Sequence, residues 1–216
     1  MPSEMKVNKI SPASGTAITL GDSGDTFTVP SGATITNSGT ATGFGVGKVL
    51  QIVDNYITDT ALQTVTANAV RLDISGMTVT ITPTSSSSKI LVEVRWHGEA
   101  GSHNEDMVFG LKRGSTQIGD APQVGSNRTI GIAKGMTGYV DEHGSTPEGA
   151  FYSFIDSPAT TSATTYQATY RNRHSSNTTL STNRTVTDTD NSGHERMTST
   201  MRCWELESAT TQTNGS

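Results

Sequence analysis

Residues 89–97 read KILVEVRWH, and this stretch decides the class of fold. Ile90, Val92, Val94 and Trp96 fall at alternate positions, so an extended chain places all four on one face. No stretch of useful length shows helical spacing. Further strands are predicted at 48–53, 70–74, 77–82, 107–113, 114–119, 128–133, 149–156, 164–171, 178–184 and 197–207. These short strands, separated by turn residues, predict an all-β, jelly-roll-like β-sandwich.

A different pattern precedes these strands. Serine-glycine pairs recur at 14–15, 23–24, 31–32 and 38–39, and short apolar triplets lie between them. Each triplet is too short to bury its apolar side chains alone, and short rungs of this kind become stable when stacked on neighbours. We therefore expect an extended segment of β-rungs that is completed by other copies of the chain. Its predicted assembly residues are Ile18, Leu20, Phe27, Val29 and Ile35.

The predicted organisation thus has three parts. Residues 1–47, here called the arm, form a stalk or docking segment that ends in the glycine-rich stretch 43–47. Residues 48–207, here called the head, form the β-sandwich. Residues 208–216 form a polar tail. The arm predicts a homo-oligomer.

Composition excludes several classes of function. The formal net charge is -5 and the sequence contains no basic stripe, so no nucleic-acid partner is expected. No apolar segment is long enough to insert into a membrane, and the N-terminus lacks the pattern of a signal peptide. The only cysteine, Cys203, cannot form an intrachain disulfide. We expect synthesis in a reducing cytoplasm without export by a signal peptide.

The segment 188–193 is the one candidate metal site. Asp188, Asp190 and Ser192 place oxygen atoms at alternate positions, as in the first half of a calcium-binding loop. The closing glutamate of such a loop is absent, because the twelfth position is Ser199. A plain turn between strands is therefore the favoured interpretation.

No catalytic or cofactor site is predicted. The five histidines show no close zinc spacing, and the acidic loop residues Glu99, Glu105 and Asp106 fit solvated side chains. Aromatic rings can stack on sugars when polar groups lie nearby. Tyr139 meets that condition because Asp141, Glu142 and His143 follow it, so this loop is the candidate glycan-binding site.

A set of phrases spread over almost the whole chain carries a family resemblance. They are GTAITLG at 15–21, GDTFTVPSGAT at 24–34, NSGTATGFG at 37–45, GKVLQ at 47–51, SKILV at 88–92, DSPATTSATTY at 156–166 and NRT at 183–185. Together they resemble virion structural proteins of tailed bacteriophages, particularly the fibre-type proteins of marine and cyanobacterial phages. The resemblance implies a particle-borne, often trimeric protein with an N-terminal attachment segment, a β-rich head and no catalytic residues.

Two functions follow from the resemblance. The chain is either a short tail or head fibre whose head binds a host surface polysaccharide, or a capsid decoration protein whose arm binds the shell. Both place the protein in the virion, in contact with other virion proteins. An isolated carbohydrate-binding domain is a third alternative.

Overall fold

The structure is a computed structural model that describes residues 10–36, 38, 48–68, 71–104, 106–123, 125, 127–135 and 144–208. The chain divides into two units, Met1–Phe44 and Gly45–Ser216. Among these described residues there is no helix, and hence none that could cross a membrane. The strands are β1 Val49–Ile57, β2 Ala61–Val65, β3 Leu72–Ile81, β4 Lys89–Ala100, β5 Met107–Arg113, β6 Thr116–Ile118, β7 Glu148–Asp156, β8 Thr164–Asn172, β9 Thr178–Thr182 and β10 Ser199–Leu206.

The strands form two antiparallel sheets. The first has the order β1-β10-β4-β9-β2, with β7 paired to β4, and the second has the order β3-β8-β5-β6. Along one edge of β4, residues 89–95 pair with β10 and residues 98–100 pair with β9, while β7 pairs along 90–98. Because β7 and β10 both pair with 90–95, they must lie on opposite edges of β4. Strands β9 and β10 therefore lie end to end.

This end-to-end arrangement defines the topology. Strands β1 and β2 are likewise successive, since β1 pairs with β10 and β2 with β9. When β1 with β2, and β9 with β10, are each counted as one strand, the head has eight strands in chain order. The first sheet then has the spatial order first, eighth, third and sixth strand, and the second sheet has the order second, seventh, fourth and fifth. This is the order of a jelly roll. The predicted all-β, jelly-roll-like sandwich is thus confirmed.

The core lies between the two sheets and contains the predicted apolar face of β4. Ile90, Val92, Val94 and Trp96 are all buried there. The Trp96 ring packs against Phe109 of the second sheet at 4.9 Å between ring centroids. Its indole Nε1 donates a hydrogen bond to Thr182 Oγ1 at 3.1 Å. Burying such large aromatic groups supplies much of the hydrophobic stabilisation of a sandwich.

Three details of the strand prediction needed correction. The runs 70–74 and 77–82 form one strand, β3, whose register shifts between Asp73 and Thr78 around Gly76 (φ 77). The run 128–133 is not a strand, and within it only Ala133 makes a bridge, to Phe109. The short strand β2 was not predicted. Its sequence is ALQTV, and its apolar residues Ala61, Leu62 and Val65 do not alternate with polar ones as the period of a strand requires.

The side chain of Asn183 connects two junctions of the first sheet, the one between β1 and β2 and the one between β9 and β10. Asn183, at the end of β9, has φ 59, a conformation that asparagine tolerates better than most residues. Its Nδ2 donates hydrogen bonds to the carbonyls of Ile57 at 2.8 Å and Asp59 at 2.9 Å. Ser199 Oγ, at the start of β10, donates to Asn183 Oδ1 at 2.6 Å. Asn183 therefore links the β1–β2 junction to the base of the excursion 183–198 between β9 and β10.

The described part of the arm consists of turns and extended chain. Asp25 N–H donates to the Asp22 carbonyl at 3.0 Å, and Ala33 N–H donates to the Pro30 carbonyl at 3.1 Å. The third residue of each turn is a glycine, Gly24 (φ 100) or Gly32 (φ 86), as a type II turn requires. Within residues 10–36 the chain forms no strand. The five predicted assembly side chains are 37% to 71% exposed.

Candidate assembly interface

The outer surface of the first sheet, here called the first-sheet face, carries a row of apolar side chains. It is built from the outward residues of β1, β10, β4 and β7, which alternate with the core residues of the same strands. The cross-strand register aligns Ile52, Trp204, Leu91 and Ile155 in one line across all four strands. Leu50 and Leu206 extend this apolar row at its β1 and β10 end.

The next row along the first-sheet face is charged. The register aligns Asp54, Arg202, Glu93 and Ser153. Arg202 Nε donates to Asp54 Oδ1 at 2.9 Å, and its guanidinium lies 5.7 Å from the centroid of the Trp204 ring. Trp204 Nε1 donates to Glu93 Oε2 at 2.5 Å. These charges are therefore held by partners on the face itself.

A third row combines exposed rings with one cation. The register aligns Tyr56, Thr200, Arg95 and Phe151, and a groove of about 600 Å³ runs between this row and the charged one. Arg95 Nη2 donates to Thr200 Oγ1 at 3.1 Å. No carboxylate lies within ion-pair distance of Arg95 in the described part of the head. Leu50, Ile52, Tyr56 and Phe151 are 43% to 59% exposed.

The outer surface of the second sheet has the opposite character. Its outward side chains are mostly threonine, glutamine and charged residues. Thr80 and Thr165 share a hydrogen bond of 2.8 Å across β3 and β8, and Lys112 Nζ donates to Asp73 Oδ2 at 2.6 Å. None of the large exposed hydrophobic residues of the described chain lies on β3, β5, β6 or β8. This surface fits contact with water, whereas the first-sheet face fits contact with protein.

Buried carboxylates in the head serve structure. Glu99 accepts backbone hydrogen bonds from Gly144 at 2.5 Å and Val186 at 2.6 Å. Glu148 accepts one from Ala100 at 3.1 Å, and burial, together with the nearby Glu99, raises its pKa to about 7. Glu205 is also buried, which favours its neutral form, but hydrogen bonds from Gln51 Nε2, Thr84 Oγ1 and the Thr84 backbone N–H lower its pKa to about 2. Glu99 therefore differs from the solvated loop residue that the sequence predicted.

The candidate cation loop is a salt-bridged turn in this structure. Both oxygens of Asp188 accept hydrogen bonds of 2.6 Å from Arg196, and Arg184 lies 3.3 Å away. The Arg196 hydrogen bonds lower the pKa of Asp188, and the positive charge of Arg184 adds to that effect. Asn191 N–H donates to the Thr189 carbonyl, while Gly193 N–H donates to the Asn191 side chain. No group of metal-binding side chains occurs within the described residues.

The remaining sequence-predicted groups are distributed as follows. The candidate glycan residues Tyr139, Asp141, Glu142 and His143 lie outside the described residues. His97 lies on the first-sheet face, where its ring meets Phe151 edge-on at 5.1 Å. His103 and His174, which are far apart in sequence, stack at 4.5 Å.

The first-sheet face itself was not predicted, although part of its signal was available. Leu91 and Trp204 occur at positions that alternate with core residues, so a strand buried on one face leaves them facing outward. An outward apolar residue is ordinary by itself. The row becomes visible only when the register of four strands is known, and paired residues such as Ile52 and Trp204 lie 152 positions apart in sequence.

No protein-family model matches the chain, and no curated protein is detectably similar to it.

Proposed function

We propose that the protein is a structural subunit of a tailed-bacteriophage virion, a short tail or head fibre that assembles as a homotrimer. In this proposal the arm joins the three chains and contacts other virion proteins, and the head is displayed outward to a host surface polysaccharide. The support is the resemblance of phrases in both arm and head to fibre-type proteins, together with the state of the arm.

The arm is the observation that carries the proposal. Its five apolar side chains are exposed, and its triplets form no strand within the described residues. Exposed apolar surface and unpaired backbone groups both gain free energy when a second chain covers them. The two glycine turns divide the described arm into short pieces that carry the apolar triplets. Such pieces fit side-by-side stacking with copies of themselves.

Mass measurement of the full chain tests the assembly part of this proposal. We expect a trimer by light scattering, and a lower mass for the double variant Leu20→Asp/Phe27→Asp, because buried carboxylates without partners are strongly unfavourable. The matched control is Thr19→Asp/Thr28→Asp. These exposed threonines alternate with the apolar residues, so their side chains point to the opposite side of each extended triplet.

The outcomes separate clearly. A trimer that persists in the control and is lost in the apolar double variant supports assembly through the arm. A monomeric wild-type protein at micromolar concentration contradicts the trimer. An equal loss in both variants contradicts the assignment of the apolar side chains as the contact.

A second measurement tests the place of the protein on the particle. Antibody-labelled density at the tail, or projecting from the head as a separate fibre, supports the fibre proposal. Density confined to the capsomer surface, together with no binding to host cells or their polysaccharide, supports the decoration protein instead.

A further inference from the structure

We propose that the heads of neighbouring chains pack against one another through the first-sheet face, with the β1 half of one head against the β7 half of the next. The partner surface is therefore a second copy of this chain. The inference rests on the proposed function, because it takes the arm to hold the chains together.

The first argument is the distribution of exposed apolar residues within the head. Six residues of the described strands are large, apolar and exposed: Val49, Leu50, Ile52, Tyr56, Leu62 and Phe151. All belong to the first sheet, on its edge strands β1, β2 and β7. The apolar row between them includes Trp204 and Leu91 at the centre of the sheet. An apolar row that crosses the sheet, together with exposed apolar residues on both edge strands, fits a surface that contacts two neighbours.

The second argument is charge. The β1 half (β1 and β10) carries the exposed carboxylate Asp54, which engages only one nitrogen of Arg202. The β7 half (β4 and β7) carries Glu93, which accepts a hydrogen bond from Trp204, and Arg95, which bonds only the Thr200 hydroxyl among the described side chains. A contact between two β1 halves places Asp54 opposite its own copy. A contact between unlike halves brings Arg95 toward Asp54 of the neighbour. Contacts between unlike patches are heterologous and can close into a ring, as a trimer requires.

The third argument is area. Four strands about 4.8 Å apart and seven residues long span a surface of about 400 Å². A stable free-standing interface uses about 800 Å² on each partner. The first-sheet face is therefore too small to hold an untethered protein firmly. A copy tethered through the arm fits better, because a short link raises the effective concentration of the neighbouring head to the millimolar range.

Chemical cross-linking of the full chain tests this contact. Asp54→Cys/Ser153→Cys places thiols at the two ends of the charged row without removing any apolar side chain. Treatment with a short flexible bis-maleimide is expected to give a covalent trimer. The native Cys203 is buried and its pKa is raised to about 12 by burial, so it contributes little reaction. The control pair Thr80→Cys/Gln117→Cys lies on the edge strands of the second sheet and is expected to give at least tenfold less covalent trimer.

Each outcome decides one point. A native trimer without excess covalent product over the control overturns the face contact and leaves the proposed function standing. A covalent dimer as the end product shows a two-fold pairing of faces and overturns the ring. A native monomer contradicts the trimer and this inference with it. An independent variant, Ile52→Lys, should raise the concentration at which the trimer dissociates at least tenfold, and an unchanged value relative to Thr80→Lys overturns the inference.

Discussion

The arm and the head treat their apolar side chains in opposite ways. In the head, two sheets enclose a core in which residues such as Trp96 and Phe109 are fully buried. In the described arm, every large apolar side chain is exposed and the only backbone hydrogen bonds are those of isolated turns. Because of this difference, substitutions in the two regions should change different measured quantities. Changes in the core of the head should alter the folding of one chain, whereas changes in the arm should alter association between chains.

The largest expected effect is the removal of the central indole of the head. Trp96→Ala leaves a cavity beside Phe109 and removes the hydrogen bond to Thr182, so we expect a loss of about 3–5 kcal/mol in the free energy of unfolding. Urea denaturation followed by far-UV circular dichroism measures it. Phe27→Ala in the arm should leave that free energy unchanged. A comparable loss in both variants would remove the distinction between the two regions.

The second effect is a pH dependence that belongs to the head. The pKa of the Glu148 carboxyl rises from its ordinary value of 4.5 in the unfolded chain to about 7 in the folded head. Between these values the folded head binds more protons than the unfolded chain, so stability falls as pH rises from 4.5 to 7 and is level above. Over this pH interval the free energy of unfolding falls by at most about 3 kcal/mol.

In Glu148→Gln, this fall in the free energy of unfolding between pH 4.5 and 7 should disappear when unfolding is measured at several pH values. Glu205 does not interfere, because its lowered pKa of about 2 makes stability fall only as pH drops below 4.5. A slope that survives in Glu148→Gln contradicts the assignment.

The third effect concerns the junction held by Asn183. Asn183→Ala removes the hydrogen bonds to the carbonyls of Ile57 and Asp59 and leaves the buried Ile57 carbonyl without this donor, so we expect a loss of about 2 kcal/mol. Thermal unfolding measures it. Asn191→Ala, at the exposed tip of the same excursion, is the control and should change stability by less than about 0.5 kcal/mol.

The smallest effect uses the same substitution in both regions. Gly32→Ala in the arm and Gly114→Ala in the β5–β6 hairpin each place a side chain at positive φ, with no atom near enough to clash. The expected cost of each is about 1 kcal/mol. For Gly114→Ala the cost should appear in unfolding of the head. For Gly32→Ala the cost should appear as about fivefold faster hydrogen exchange of the Ala33 amide, and the free energy of unfolding of the head should not change.

Sequence reasoning located most strands because their signal is local. The alternation of 89–97 marks β4, and Gly114 marks the hairpin that follows β5. The excursion 183–198 was not recognised, since nothing in one strand reveals that its continuation lies sixteen residues later. The apolar row through Trp204 and Leu91 depends on register between distant strands. The candidate glycan residues around Tyr139 remain a prediction that the described residues do not test.

The excursion 183–198 between β9 and β10 can accept added sequence at its tip. The chain leaves the sheet at Asn183 and returns at Ser199, whose side chains touch at 2.6 Å, so both strands keep their register when the exposed tip of the excursion changes. Lengthening a loop costs little, about 0.6 kcal/mol for each doubling. The tip around Asn191 is therefore a graft site, where a foreign peptide can be carried on the head without rewriting either sheet.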